Sequence, residues 1–130
     1  MPKAIAIGIV CFAGKVLIDR RPADAALGGL WEFPGGKILP GETPEACVAR
    51  EVLEEVGLTV TVGELLAILE HDYSDFLVRI RAYLCHSESD AARAIACDAV
   101  EWVEPRELDG YPFPAANAPL ISLIQKRLCP

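Results

Sequence analysis

The stretch GKILPGETPEACVAREVLEEVGL, from Gly36 to Leu58, joins a glycine-containing loop to a short helix with clustered carboxylates. At about 100° per residue, Glu51, Glu54 and Glu55 fall within one sector of that helix. Like charges at this spacing destabilise a helix by roughly 0.2–0.5 kcal/mol per pair, and a bound cation offsets the repulsion. Because hard oxygen donors suit Mg²⁺ or Mn²⁺ better than zinc, the stretch predicts a site for such an ion.

The same stretch contains signals for both ends of the helix. Thr43 is suited to the N-cap position, and Pro44 fits the first helical position. Gly57 is a typical C-terminal stop. The sector opposite the glutamates is apolar and is expected to face away from them; its members are Ala49, Val52, Leu53 and Val56.

A known sequence pattern is filled at every fixed position of this stretch. The pattern is G-x5-E-x7-R-E-U-x-E-E-x-G-U, where U is aliphatic, and the matching residues are Gly36, Glu42, Arg50, Glu51, Val52, Glu54, Glu55, Gly57 and Leu58. So many fixed positions in so short a stretch are highly specific, and the chain resembles the Nudix hydrolase family. The resemblance implies an α+β fold with a mixed β-sheet sandwiched between α-helices. It also implies cleavage of a nucleoside diphosphate linked to another moiety.

The resemblance assigns roles to residues of this box. Glu51, Glu54 and Arg50 are the expected catalytic residues, and Arg50 is expected to orient the glutamates through charge-assisted hydrogen bonds. Glu42 is expected to support the loop or an additional ion. The expected cofactor is Mg²⁺, with Mn²⁺ as a substitute, and the implied metal ligands are Glu51, Glu54, Glu55 and the backbone carbonyl of Gly35. Glycine suits the last role because its backbone can approach an ion closely and can adopt a positive φ angle.

Size and charge restrict the class of protein. A chain of 130 residues is expected to form one domain, residues 1–130, and its 52% hydrophobic content argues against disorder. No apolar run approaches the roughly 20 residues that span a bilayer, so no membrane partner is expected. The net charge of −7 argues against a nucleic-acid polymer as partner, although it is compatible with a nucleotide whose phosphates are neutralised by metal. A monomer or a weak homodimer is expected.

The cysteines indicate the cellular compartment. There are five, they are scattered, and no pair has the C-x-x-C spacing of a zinc or redox site. We therefore expect reduced thiols and a cytoplasmic protein.

Strand and helix patterns are mixed without strict alternation, which favours an α+β arrangement. The predicted strands are Ala4–Phe12, Val16–Asp19, Thr59–Glu70, Phe76–Cys85 and Ala99–Val103. Residues 20–36 read as a long Gly- and Pro-rich connection, and residues 87–96 read as a loop or a marginal helix. A closing amphipathic helix, residues 120–128, is expected to turn Leu120, Ile121, Ile124 and Leu128 inward.

Outside the box, the chain is similar to the MutT-type members of the family, which hydrolyse 8-oxo-dGTP. The similar segments are RRPADA from Arg20, LWEFPGGK from Leu30, and YPFPAANAP from Tyr111. The resemblance implies substrate contacts from Arg21, Glu32, Phe33, Pro34, Gly35 and Asn117. The amide of Asn117 presents a donor and an acceptor, which match the O6 and N7–H edge of 8-oxoguanine.

Two departures from the MutT-type pattern leave alternatives open. Phe76 stands where those enzymes have a second base-contacting arginine, so CTP, dCTP or a modified pyrimidine is an alternative substrate. Ala96 stands where they have a glutamate that assists the metal or the water, and Asp98 is the nearest replacement. The same departure motivates an alternative of a different class, a nucleotide-binding module without turnover. The general base is left open among Glu51, Glu54 and Asp98.

Overall fold

A computed structural model describes residues 2–72 and 74–128 of the chain. Its strands are β1 (Lys3–Phe12), β2 (Lys15–Arg20), β3 (Trp31–Glu32), β4 (Gly35–Lys37), β5 (Val60–Asp72), β6 (Leu77–Ser87) and β7 (Ala99–Val103). Its α-helices are α1 (Pro44–Val56) and α2 (Ala118–Leu128), and 3-10 turns cover Pro105–Gly110 and Ala115–Asn117. None of the described helices is long and apolar enough to cross a membrane.

Strand β1 is the centre of one mixed sheet. It runs parallel to β6 along one edge and antiparallel to both β2 and β4. Strand β4 pairs with residues 5–7 of β1, whereas β2 pairs with residues 11 and 12. The sheet is completed by β5 beside β6, and by β3 and β7 beside β2. Two strands thus share one edge of β1, and this fork places β3 and β4 next to each other.

The two faces of the sheet bury separate apolar clusters, because successive strand side chains point to opposite faces. Ile7 and Ile9 of β1 belong to a cluster with α2, the α2-side core, which also contains Leu120, Ile121, Ile124 and Leu108. Ala6 and Val10 belong to a cluster with α1, the α1-side core, which also contains Cys47, Val48, Val52 and Val56. The expected sheet between helices, of the α+β class, is confirmed.

Helix α1 has the predicted ends. The Thr43 Oγ1 accepts a hydrogen bond from the amide of Ala46 at 3.1 Å, and Pro44 is in the first turn. Gly57 ends the helix in the left-handed region, with φ 73°, and its amide donates to Leu53 O at 3.0 Å. The thirteen residues of the helix therefore have fixed limits, which hold its glutamates at defined positions.

Which face of α1 is buried differs from the prediction. Leu53, assigned to the apolar sector, is 52% exposed. At 100° per residue the buried residues Cys47, Val48, Val52 and Val56 span half of the helix circumference. Glu51 and Glu55 lie within that buried arc, and neither side chain is fully exposed. Glu51 and Glu55 therefore border the core, whereas Glu54 is exposed at its edge.

The other sequence predictions differ mainly at strand ends. The long predicted strands are present, with ends shifted by one or two residues. The predicted connection of residues 20–36 contains β3 and the first two residues of β4, neither of which was predicted. Of the two alternatives for residues 87–96, the loop is the one observed, since residues 88–98 are irregular. In α2, Leu120, Ile121 and Ile124 are buried, as predicted, and Leu128 packs against the same core. Tyr73, between the predicted strands Thr59–Glu70 and Phe76–Cys85, and Cys129 lie outside the described residues.

Candidate active site

The Arg50 guanidinium connects the glycine loop with the acidic residues of α1. Nε and Nη2 donate to the two carboxylate oxygens of Glu42, at 2.7 and 3.0 Å. Nη1 donates to Glu51 Oε1 at 2.9 Å and lies 3.4 Å from the carboxylate of Glu54. Nη2 also donates to Lys37 O at 3.2 Å. One rigid planar group thus contacts three carboxylates and the end of β4, as the expected orienting role of Arg50 requires.

Glu42 is fully engaged by this network. Its Oε1 also accepts a hydrogen bond from the amide of Leu39 at 3.0 Å, which closes the loop before the helix. The hydrogen bonds from Arg50, followed by the one from Leu39, lower the pKa of Glu42 to about 2. Both carboxylate oxygens have protein donors, so the geometry favours loop support over binding of an additional ion.

Gly35 and Gly36 allow β4 to pass between β1 and α1. A Cβ atom on Gly35 would lie 2.3 Å from the carbonyl oxygen of Ala6, and one on Gly36 would lie 2.6 Å from the Glu51 carboxylate carbon. Neither glycine has a positive φ angle, so the expected use of that conformation at Gly35 is wrong. Close approach of the backbone is the reason that the structure gives for glycine here. The Gly35 amide donates to Glu55 Oε2 at 3.0 Å and fixes that carboxylate beside β4.

The described residues contain one group of three carboxylates in which one oxygen from each side chain lies within 4.8 Å of the other two: Asp19, Glu32 and Glu55. They come from β2, β3 and α1, respectively. Asp19 has no exposed surface, and neither of its oxygens has a hydrogen-bond partner among the described residues. Glu32 Oε1 accepts from Arg21 Nη1 at 2.8 Å. Hard oxygen donors collected at one point fit a divalent cation of the Mg²⁺ or Mn²⁺ type.

The same group is electrostatically strained when no cation compensates it. Burial, followed by the negative charge of Glu32, raises the pKa of Asp19 to about 10. Burial and Glu32 likewise raise the pKa of Glu55 to about 9. Strongly shifted carboxyl groups of this kind concentrate at functional sites, because a fold gains nothing from burying them uncompensated.

The carboxylates brought together differ from the set implied by the family resemblance. Of the expected ligands Glu51, Glu54 and Glu55, only Glu55 belongs to the three-carboxylate group, while the other two carboxylates face Arg50. Asp98, the expected replacement for a glutamate at Ala96, accepts a hydrogen bond from the amide of Ala23 at 3.2 Å. It thereby anchors the connection between β2 and β3, and it is outside the group.

Asp19 is the functional candidate that the sequence interpretation missed. In the sequence pattern it is only the last residue of the predicted strand Val16–Asp19. Two features of the sequence distinguish it: it is the one charged residue in the run Val16–Asp19, and it has the same strand parity as Leu17. Since Leu17 is in the α1-side core, Asp19 points toward α1 as well.

A cleft of about 180 Å³ adjoins the carboxylate group. Its polar walls come from four of the expected substrate residues and a neighbouring glycine, and the lining includes Arg21, Glu32, Gly35, Gly36 and Asn117. Its apolar walls include Phe33, which is 3% exposed and packs on Phe113 with ring centroids 5.2 Å apart. Pro34, the remaining expected contact, is not part of the lining, and its carbonyl accepts a hydrogen bond from Gly8 at 2.8 Å.

Arg21 also orders the connection that borders the cleft. Its Nε donates to Ala26 O at 2.7 Å while Nη1 donates to Glu32. Its backbone amide and carbonyl bond to Leu30 and Gly29, which closes the loop on itself. The cleft and the carboxylate group share Glu32, so a molecule in the cleft lies beside the acidic group.

The fold and the site define an α+β domain in which a carboxylate-bearing helix meets a cleft at the fork of a mixed sheet. The model of the NUDIX domain family matches residues 5–123, and the chain belongs to that family. Nudix hydrolases generally require a divalent metal and act on nucleotide substrates.

Individual relatives cover most of the chain. The chain is 36% identical to an 8-oxo-dGTP diphosphatase of Escherichia coli K12 over 123 residues, 94% of this chain and 95% of the relative. It is 35% identical to a CTP pyrophosphohydrolase of the same organism over 108 residues, 83% of this chain and 80% of the relative. The solution structure of the E. coli ORF135 protein superimposes with a TM-score of 0.83 at 31% identity, and covers 98% of this chain and 91% of that one.

Proposed function

We propose that the protein is a Mg²⁺-dependent nucleoside triphosphate pyrophosphohydrolase that converts 8-oxo-dGTP to the monophosphate and pyrophosphate. The observation that carries the proposal is the shared position of Glu32, which joins the cleft lined by Arg21 and Asn117 to the acidic group. Such an enzyme removes oxidised precursors from the cytoplasmic nucleotide pool and thereby prevents mutation. The relative named 8-oxo-dGTP diphosphatase supports this choice of substrate.

Residues of α1 and β4 have separate proposed roles in hydrolysis: metal binding, positioning of the carboxylates and proton acceptance. Glu51, Glu54, Glu55 and the carbonyl of Gly35 are the proposed metal ligands. When bound, Mg²⁺ neutralises phosphate oxygens and lowers the pKa of a coordinated water. Arg50 holds Glu51 and Glu54 through Nη1 and fixes the loop through Glu42, so the carboxylates are positioned before substrate arrives. A carboxylate of α1 accepts the proton of the attacking water.

The cleft supplies the selectivity for the base. In the proposed complex, Asn117 accepts the N7–H of 8-oxoguanine and donates to O6, whereas unmodified guanine presents an acceptor at N7. A site built for one hydrogen-bond pattern strongly penalises a substrate that leaves it unpaired. Phe33 supplies the apolar wall, and Arg21, Glu32 and Gly35 supply polar contacts.

Pyrophosphate release from a panel of nucleotides tests the substrate. We expect the highest kcat/KM for 8-oxo-dGTP, with lower values for dGTP, CTP and dCTP, and no release without Mg²⁺. Equal rates for 8-oxo-dGTP and dGTP would contradict 8-oxo-dGTP as the preferred substrate. They would still agree with the proposed pyrophosphohydrolase reaction. Asn117→Ala is expected to reduce the preference for 8-oxo-dGTP more than it reduces turnover of dGTP.

CTP or dCTP is the second candidate substrate. It is favoured by the relative named CTP pyrophosphohydrolase and by Phe76, which stands where MutT-type enzymes have an arginine. The same panel decides, since this candidate requires CTP or dCTP to be the best substrate.

The Glu54→Gln variant tests whether the protein is an enzyme or a nucleotide-binding module without turnover. We expect this variant to lose metal-dependent hydrolysis and to retain the fold, because the Glu54 side chain is 57% exposed. Tight nucleotide binding by the unchanged protein without any hydrolysis would favour the non-catalytic module.

A further inference from the structure

We propose that Asp19 is a cation ligand, and that with Glu32 and Glu55 it forms an inner divalent-cation site at the fork of the sheet. This inference deepens the proposed metal dependence and rests on the proposed function through the shared residues Glu32 and Glu55. It adds ligands from β2 and β3 to a site that the family box places on α1 and β4.

The position of Asp19 in the sheet is the first argument. It follows Leu17 by two residues on β2, so its carboxylate faces α1 from inside the sheet. It has no exposed surface, and both oxygens lack a hydrogen-bond partner among the described residues. A buried carboxylate needs a compensating partner. No described group donates a hydrogen bond to Asp19, and the nearby positive charge of Arg21 is already paired with Glu32.

The neighbours of Asp19 supply the second argument. Glu32 is the residue directly opposite Asp19 in the antiparallel pair of β2 and β3. Like charges in directly opposed positions destabilise a sheet. Glu55 approaches from α1, and one oxygen from each of the three side chains lies within 4.8 Å of the other two. Carboxylates from β2, β3 and α1 therefore lie close together.

Charge and donor type determine the ligand. When all three carboxylates are ionised, the group and the guanidinium of Arg21 together carry a net charge of −2, which a divalent cation neutralises. The donors are all oxygens, and they can close on an ion with metal–oxygen distances of about 2.0–2.6 Å. The competing occupant is a proton shared between Asp19 and Glu32, which leaves no role for a metal at this point.

Manganese binding in the absence of nucleotide distinguishes the two occupants. The full chain is titrated with Mn²⁺ and free Mn²⁺ is followed by electron paramagnetic resonance, for the unchanged protein and for Asp19→Asn. Asn has the size of Asp and keeps one weak oxygen donor, and circular dichroism verifies the fold. We expect Asp19→Asn to lose one bound Mn²⁺ per chain or to weaken its binding by at least about 10-fold.

Two further variants make the test specific. Glu32→Gln changes the same group from a partly exposed strand and is expected to produce the same loss, which keeps the test valid if Asp19→Asn does not fold. Asp109→Asn is the matched control, because Asp109 accepts a hydrogen bond from Gln125 outside the group, and we expect unchanged Mn²⁺ binding.

Equal stoichiometry and affinity in the unchanged protein, Asp19→Asn and Glu32→Gln would overturn the inference in favour of the shared proton. Because no nucleotide is present, failure of the proposed hydrolysis is a separate result. A protein that binds Mn²⁺ through Asp19 and hydrolyses no nucleotide would retain this inference and contradict the proposed function.

Discussion

At the scale of one residue, Arg50 shows why helix α1 needs a guanidinium and not merely a positive charge. Its three nitrogens contact Glu42, Glu51 and the carbonyl of Lys37 in different directions. A lysine ammonium is a compact point charge on a flexible stem and cannot bridge these groups together. The carboxylates of α1 would then lose the contact that sets their orientation.

Arg50→Lys is therefore expected to lower kcat for pyrophosphate release by about 10–100-fold, the usual effect of losing a group that orients a metal ligand. Far-UV circular dichroism should remain unchanged. Arg106→Lys is the control, because Arg106 pairs with Glu104 on the surface and its side chain is 73% exposed. Full activity of Arg50→Lys would show that the guanidinium network has no positioning role.

The pKa of Glu42 gives a second prediction at this scale. It is lowered to about 2 by Arg50 and Leu39, so its ionised form is favoured by folding. The stabilisation is present above the ordinary glutamate pKa of about 4.3, and it is lost as the pH falls through the folded value. The free energy of unfolding of Glu42→Gln should therefore lie below that of the unchanged protein at pH 6, and the gap should narrow toward pH 2. A gap that is constant from pH 6 to pH 2 would contradict the assigned cause.

Asp19 marks the limit of residue-level prediction from the sequence. The box residues were predicted because nine fixed positions lie within one local stretch, and local spacing translates directly into positions on a helix. The partners of Asp19 lie on β3 and α1, and strand pairing brings them together. No spacing in the sequence indicates that these three side chains lie close together, so the sequence alone predicts only a strand end at Asp19.

At the scale of elements, glycine at positions 35 and 36 allows β4 to lie close to β1 and α1. Gly35 lies opposite Ile7 in the ladder with β1, and a Cβ atom there would meet the backbone of Ala6 at 2.3 Å. Backbone cannot rotate aside as a flexible side chain can. Strand β4 would have to move away from β1, and the Gly35 amide would leave Glu55.

We expect Gly35→Ala to lower the free energy of unfolding by about 1–3 kcal/mol, as other overpacking changes do, and to reduce hydrolysis as well. Gly110→Ala is the matched control, since nothing lies within 4 Å of a Cβ atom there and its φ angle is not positive. Its effect should stay within about 0.5 kcal/mol. Chemical denaturation of the two variants measures both values, and equal stabilities would contradict the close-approach argument.

Long elements with local sequence signals are predictable from the sequence, whereas the shortest strands are not. Helix α1 was predicted with both ends, because Thr43, Pro44 and Gly57 are local signals. Strands β3 and β4 have two and three residues, and the sequence around them is rich in glycine and proline. Their pairing with β2 and β1 defines them as strands, and that information is not local. The buried arc of α1 was likewise set by the tertiary position of the helix, which leaves Leu53 exposed.

At the scale of the whole molecule, the two cores depend on the same strand. Ile7 and Ile9 of β1 enter the α2-side core, while Ala6 and Val10 enter the α1-side core. Because β1 contributes side chains to both cores, unfolding of β1 would disrupt both of them. The domain should therefore unfold as one cooperative unit. The two tryptophans of the chain report the faces separately, because Trp31 packs against the α2-side core and Trp102 against the α1-side core.

Ile124→Ala tests this coupling from the face of the sheet opposite α1. Ile124 is fully buried in α2, and its truncation is expected to cost about 2–5 kcal/mol. The variant is made in two single-tryptophan backgrounds, Trp31→Phe and Trp102→Phe, and thermal unfolding is followed by fluorescence. Each midpoint is compared with that of its own background without Ile124→Ala. If β1 couples the cores, the drop in midpoint reported by Trp102 equals the drop reported by Trp31, although Trp102 is on the opposite face. A Trp102 transition that stays at the midpoint of its background would show that the α1-side core, and the active-site helix with it, folds without the α2-side core.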